Sequence, residues 1–238
     1  MTGISGTGIR GILLDIEGTT TPIQFVYDVL FPFVRLELDA YLRVHDDEPQ
    51  IQEILQALQR EHADDAKKNS ATPQWQSAPL AYVNWLMDQD RKSTALKALQ
   101  GRIWYDGYHS GRLRGQVFPD VPPALDRWQK LGLDVRIFSS GSELAQRLLF
   151  ANSESGDLTR FLRGYFDTTI GSKTDPSSYG SIAAAFGFPP EQIVFVSDAT
   201  RELDAAQHQG LVTLLCRRPG NPPQGIRGHR TIFSFDEI

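Results

Sequence analysis

The sequence predicts an α/β fold, a Rossmann-like parallel sheet core with a helical cap inserted after the first strand. Three observations predict it. The run Ile12-Leu13-Leu14 is short, wholly apolar and closed by Asp15, as in a strand buried on both faces of a parallel sheet. From Val117 onward, strand-like runs alternate with helical ones, the pattern of a parallel sheet covered on both faces. Between these regions, residues 21–110 show only helical periodicity. The expected domains are therefore a core of residues 1–20 and 111–238 and a cap of residues 21–110.

The elements follow in order. Asp15 ends the first strand, Gly18 lets the chain turn, and Thr19, Thr20 and Thr21 read as a turn only. Apolar residues at three- and four-residue steps (Val26, Leu30, Phe33 or Val34, Leu38, Leu42) predict a helix over 23–42, with Pro32 a kink or a boundary. Ile51, Ile54, Leu55 and Leu58 predict a second helix, closed by the charged run from Glu61 to Lys68. Asn69 to Ala78 reads as a loop, and helices follow over 80–87 and 93–99. Phe25, Tyr27, Phe31, Trp104 and Tyr108 read as core, with one or two free to line an apolar pocket. In the second half, helices are expected over 121–131, 143–150, 179–186 and 202–209. Strands are expected over 134–139, 166–170, 193–197, 212–215 and 231–233. Arg217, Arg218 and the segment Pro219 to Pro223 read as a turn-rich exit from the last strands.

Composition removes several function classes. A chain of 238 residues, 40% hydrophobic and 22% charged, suits a soluble globular protein with a full core. A net charge of -5 argues against sequence-independent nucleic-acid binding, which needs a basic face. Cys216 is the only cysteine, so no intrachain disulfide forms and a reduced, cytoplasmic setting is expected. Residues 1–8 lack the apolar run of a signal peptide, and no apolar stretch approaches the ~18 residues of a membrane span. The same residues contain no phosphate loop with its lysine, so ATP binding is not expected. The five histidines have no metal-ligand spacing, which disfavours zinc. A monomer acting on a small molecule is the expectation.

Four strand ends carry the chemistry. Asp15 and Glu17 follow the first, Ser139 and Ser140 the second, Lys173 a third segment, and Asp198 with Glu202 a fourth. In a parallel sheet such ends converge on one crevice. Each has a plainer reading: the serines as helix caps, Lys173 as a surface lysine, Asp198 and Glu202 as a solvated helix face. Their order along one sheet favours the site. A carboxylate nucleophile approaching a phosphate monoester meets a repulsion of roughly 4 kcal/mol per charge pair at ~4 Å and an effective dielectric of ~20. Lys173 and a divalent cation would remove it. Magnesium accepts a few carboxylates and carbonyls and keeps several waters, which Asp15, Asp198 and the Glu17 carbonyl would satisfy. Ser139 and the amides after it would bind phosphate oxygens. The set suits metal-assisted phosphoryl transfer through an aspartyl phosphate.

The segments DIEGTT at 15–20, SSGS at 139–142, IGSK at 170–173 and SDATRE at 197–202 resemble the four motifs of the haloacid dehalogenase superfamily. Glu17, where that superfamily usually has aspartate, is similar to one branch, the enolase-phosphatases of methionine salvage. Residues 104–108 and 117–121 also resemble that branch's connection from cap to core, and the likeness spans roughly residues 10 to 220. The resemblance implies a bifunctional reaction on 2,3-diketo-5-methylthiopentyl 1-phosphate, enolisation and then hydrolysis to the acireductone, with one Mg2+ per chain. It implies Asp15 as nucleophile and metal ligand, Glu17 as acid/base and metal ligand, and Asp198 as metal ligand. Ser139, Ser140 and Lys173 would bind substrate. The base that takes the carbon-bound proton stays open between Glu17 and Lys173.

The competing readings are a phosphatase of the same fold acting on another small phosphate, a phosphoacceptor signalling domain, and a non-catalytic relic. Glu17 disfavours the first. Signalling receivers need only about half this length and no helical insertion. A relic would most simply have lost Asp15 or Asp198.

Overall fold

A computed structural model describes residues 8–75, 79–223, 225–226 and 228–238. Residues 1–7, read above as free of a leader and a phosphate loop, and 76–78 of the expected loop lie outside the described residues. The chain divides into two compact units, Met1–Val26 with Arg114–Ile238, and Tyr27–Leu113.

The first unit is built on six parallel strands: β1 (Gly11–Leu14), β2 (Asp134–Phe138), β3 (Gly164–Phe166), β4 (Ile193–Ser197), β5 (Val212–Cys216) and β6 (Arg230–Ile232). Their spatial order is β3-β2-β1-β4-β5-β6. β1 is central, pairing Leu14 with Ile137 of β2 and with Val196 of β4. Ile12, Leu13 and Leu14 are fully buried, as their uninterrupted apolar run requires. The order reverses between β1 and β4, so the crevice beyond their carboxyl ends is the topological switch point where such sheets bind ligands.

Four helices cover this sheet: α5 (Val121–Lys130), α6 (Glu143–Ala151), α7 (Pro176–Phe186) and α8 (Thr200–His208). Tyr179, Ile182 and Phe186 of α7 and Leu203 of α8 bury against Leu13, Phe138 and Phe195. The strand expected over 166–170 instead ends at Phe166. The Asp167 carboxylate accepts the Thr169 amide at 2.9 Å and its hydroxyl at 2.6 Å, and the Ile170 amide reaches Asp167 O. That local Asx turn outcompetes the ladder.

The second unit holds α1 (Phe31–His45), α2 (Pro49–Lys68), α3 (Leu80–Asp88) and α4 (Thr94–His109). Pro32 marks a boundary, one of its two expected roles, where a π-helical turn over Phe25–Leu30 gives way to α1. It sits in the first turn of α1, where its missing N–H costs nothing. The charged run 61–68 is the end of α2 rather than its closure. Asp65 within it is buried and accepts hydrogen bonds from the Tyr82 hydroxyl and Arg91. α4, expected to stop near Leu99, runs on to His109, so residues 104–108 are helix and not a connector. Leu99, Ile103, Trp104 and Tyr108 keep one buried face through it. Gly107 admits the Phe33 ring of α1, whose atoms would stand 2.6 Å from a Cβ there. Tyr27, read as core, is 57% exposed.

Candidate active site

Asp15 is the centre of the site, and the β1–β4 ladder sets its position. Its amide donates to Val196 O at 3.0 Å, continuing the register and setting Asp15 opposite Ser197. The Ser197 hydroxyl lies 3.0 Å from Asp15 Oδ2 and 3.1 Å from Glu202 Oε2, and it accepts from the Ala199 amide. A hydroxyl carries one proton, so Ser197 donates to one carboxylate at a time. Glu202 lies in the first turn of α8, where a carboxylate is favoured by the helix dipole.

Lys173 arrives from the loop before α7. Two hydroxyls of that helix hold the loop: Tyr179 donates to Lys173 O at 2.7 Å and Ser178 to Ser172 O at 2.8 Å. The ammonium lies 2.6 Å from Asp15 Oδ1 and 2.6 Å from Glu202 Oε2. Burial works to lower its pKa, but the two carboxylates more than offset this, and the net direction is upward. Lys173 is therefore no surface lysine.

Asp198 follows β4. Burial first, then the charges of Asp15, Glu202 and Glu17, push its carboxyl up to about 7, against the opposing pull of Lys173. Burial also raises Glu202. Glu17 itself is exposed while Asp15 is 4% exposed, so the two acids of one turn sit in different surroundings.

Ser139 is buried at the end of β2, beside the strand that carries Asp15. Its hydroxyl accepts from the Gly141 amide at 3.1 Å, leaving its proton for another acceptor. Ser140 is half-buried on the same turn. Neither serine caps α6; Ser142 does, accepting from the Ala145 amide. Gln146 of α6 braces the turn, donating to Gly141 O and Phe166 O.

Three features were not legible in the sequence. Ser197 closes a strand and opens the SDATRE segment in the sequence, which assigns it no role of its own. Thr19, Thr20 and Thr21 are fully buried, and the Thr20 hydroxyl donates to Asp15 O, so the turn is part of the site's scaffold. The segment read as a strand exit returns to the site: Arg218 Nε donates to Thr19 O and Asn221 Nδ2 to Gly18 O. Only a run of polar residues after a strand signalled it.

The donor set fits a hard divalent cation. Asp15, Glu17, Asp198 and Glu202 set four carboxylates against one ammonium. Gly18, at φ +71°, lies so close to Asp198 that a Cβ would collide with its Oδ2 and stand 2.9 Å from Asn221 Oδ1. Among the described residues no three acidic, His or Cys side chains form a closed metal cage. Magnesium does not need one, since it binds through one or two carboxylates with water and substrate phosphate. Cys216 is buried, and burial pushes its thiol up to about 12. Among the described residues no helix is long and apolar enough to cross a membrane.

A family model of haloacid dehalogenase-like hydrolases matches residues 9–210. An enolase-phosphatase E1 of Synechococcus elongatus is 50% identical over 234 residues, covering 97% of this chain and 98% of that protein. The enolase-phosphatase E1 of Citrobacter koseri is 46% identical over 232 residues, covering 97% and 96%. Among solved structures, the UTR4 protein of Saccharomyces cerevisiae matches with a TM-score of 0.77 at 32% identity, covering 97% of this chain and 100% of that one.

Proposed function

The chain belongs to the haloacid dehalogenase-like hydrolases and, among them, to the enolase-phosphatase E1 family, and we propose that the cluster around Asp15 carries both of its reactions. The protein is an enolase-phosphatase. It converts 2,3-diketo-5-methylthiopentyl 1-phosphate to its enol, then hydrolyses the ester to the acireductone of methionine salvage. The observation that carries the assignment of roles is the buried Asp15, tied to Lys173 on one oxygen and Ser197 on the other.

In our reading Asp15 is the nucleophile. Its carboxylate attacks phosphorus, the ester P–O bond breaks, and Glu17 protonates the departing oxygen. Glu17 then takes a proton from the water that attacks the aspartyl phosphate, releasing phosphate and restoring Asp15. Lys173 neutralises Asp15 and has a third N–H for a substrate oxygen. Held as an ammonium, it is a donor, which leaves Glu17 as the base for the carbon-bound proton. Ser139 and Ser140 donate to phosphate oxygens. Asp15, Asp198 and the Glu17 carbonyl would hold one Mg2+ per chain, which supplies positive charge to phosphate and carbonyl oxygens when bound. We take the helical unit as the cap, and the enzyme as a cytoplasmic monomer acting on a free small molecule.

The test follows two signals on the diketo phosphate, ultraviolet absorbance for the enol and a separate readout for released phosphate. Enol formation followed by phosphate release, both abolished by a chelator, supports the reading. Phosphate release from simple sugar phosphates with the diketone untouched overturns it.

A further inference from the structure

Two carbonyls of the turn after β1 are satisfied within it, and Thr20 O takes the Phe118 amide at 2.9 Å. Ile16 O collects the amides of Thr19, Thr20 and Thr21, and Thr21 O takes the Gly18 amide. The carbonyls of Gly18 and Thr19 instead turn towards a segment about 200 residues later in the chain. Asn221 Nδ2 donates to Gly18 O at 2.8 Å and Arg218 Nε to Thr19 O at 3.1 Å.

Both donors are themselves immobilised. The Arg218 side chain is 4% exposed, and its Nη1 donates to Asp120 Oδ2 at 2.7 Å and Phe233 O at 3.2 Å. Its guanidinium lies 4.5 Å from the Phe118 ring centroid and 4.7 Å from that of Phe235. Asp120 is fixed in turn by the Ser234 hydroxyl and the Phe235 amide. Asn221 closes a turn onto Arg218 O, and Gln24 Nε2 donates to Gly220 O beside it. With its amide nitrogen spent on Gly18, the Asn221 oxygen lies on the Asp198 side, and both oxygens crowd the space a Gly18 Cβ would take.

We propose that Arg218 and Asn221 are positioning residues that clamp the Gly18–Thr19 backbone and so aim Glu17. The inference rests on the reading of Glu17 as acid/base. Gly18 is the most freely rotating link next to Glu17. Two external donors on the carbonyls of Gly18 and Thr19 remove that freedom. Misplacing a reacting group by about 1 Å can cost about 100-fold in rate, so a clamp remote from the chemistry has catalytic leverage. A planar, always-charged guanidinium suits this duty, because it holds a carbonyl and a carboxylate in fixed directions while stacked between rings.

The experiment compares Asn221→Ala and Arg218→Lys with Arg127→Ala. Arg127 also ties down the C-terminal segment, through Phe235 O and Ile238 O, without touching the catalytic turn. The readouts are thermal stability, kcat and KM for phosphate release, and amide hydrogen exchange over residues 15–21. The clamp variants are expected to speed exchange in that segment and lower kcat by about tenfold or more, with KM within about twofold. Arg127→Ala, at comparable loss of stability, is expected to leave exchange there unchanged and kcat within about twofold of the parent. If Arg218→Lys does not fold, the half-buried Asn221 carries the test. Unchanged exchange over 15–21 in Asn221→Ala overturns the clamp, as does an equal kcat loss in Arg127→Ala. A parent enzyme inactive on the diketo phosphate overturns the functional reading instead, while the exchange measurement still decides the clamp.

Discussion

The Lys173 ammonium lies 2.6 Å from Asp15 Oδ1, with both side chains more than nine-tenths buried. A second carboxylate, Glu202, holds the same ammonium from the other side at 2.6 Å. Removing one partner of a buried ionic cluster leaves uncompensated charge, at a cost of about 3–5 kcal/mol. Lys173→Met should therefore lower the unfolding free energy by that margin, read as a lower denaturant midpoint. It should also cut phosphate release by about 100-fold or more, as loss of a charge-stabilising donor does. Chemical denaturation beside a phosphate assay checks both. Full stability with full activity would contradict the arrangement.

Gly18→Ala meets two obstacles at once. The residue's φ is +71°, and a Cβ would collide with Asp198 Oδ2. The strain should cost about 1–2 kcal/mol, and the displaced carboxylate about 100-fold in activity. Magnesium titration by calorimetry should show weaker binding, since the displaced group is the candidate ligand.

Glu17→Asp changes reach without changing charge. The longer native side chain lies exposed, while Asp15 is buried. If that length lets enolisation precede hydrolysis, the variant should change the ratio of enol formation to phosphate release. The two-signal assay measures it directly, and an equal loss of both steps counts against the idea.

Asp198 predicts a pH dependence. Its carboxyl titrates near 3.8 when unperturbed and is raised to about 7 in the folded protein. Between those values the folded state holds more protons than the unfolded one, so stability falls as pH rises from about 4 to about 7. Burial raises Glu202 as well, with the same sign. In chelator, the melting temperature should decline from about pH 5 to about pH 8, and magnesium should restore it chiefly at the higher value. A melting temperature that rises over this range without metal would contradict the placement of these acids.

Asp15 and Asp198 were legible because they sit at strand ends, where an apolar run stops abruptly and marks the crevice. Lys173 lies beyond β3 in the loop before α7 and was legible only from its place in the series of segments. Asp15 and Asp198 needed little more than the Ile12–Leu14 and Ile193–Val196 runs. Ser197 was not legible, because only the β1–β4 register sets it opposite Asp15. Arg218 and Asn221 were missed for a related reason. Their partners are backbone carbonyls about 200 residues away, and a carbonyl leaves no trace in side-chain pattern. The limits of β3 failed because Asp167 spends its side chain on a local turn.

The most direct test of the central claim is to find where phosphate goes. The enzyme turning over the diketo phosphate is acid-quenched and treated with borohydride, which reduces an acyl phosphate to the alcohol, and its peptides are read by mass spectrometry. Asp15 as nucleophile predicts conversion of residue 15 to homoserine, dependent on substrate and magnesium. Reduction at another carboxylate, with residue 15 intact while phosphate is released, would contradict it.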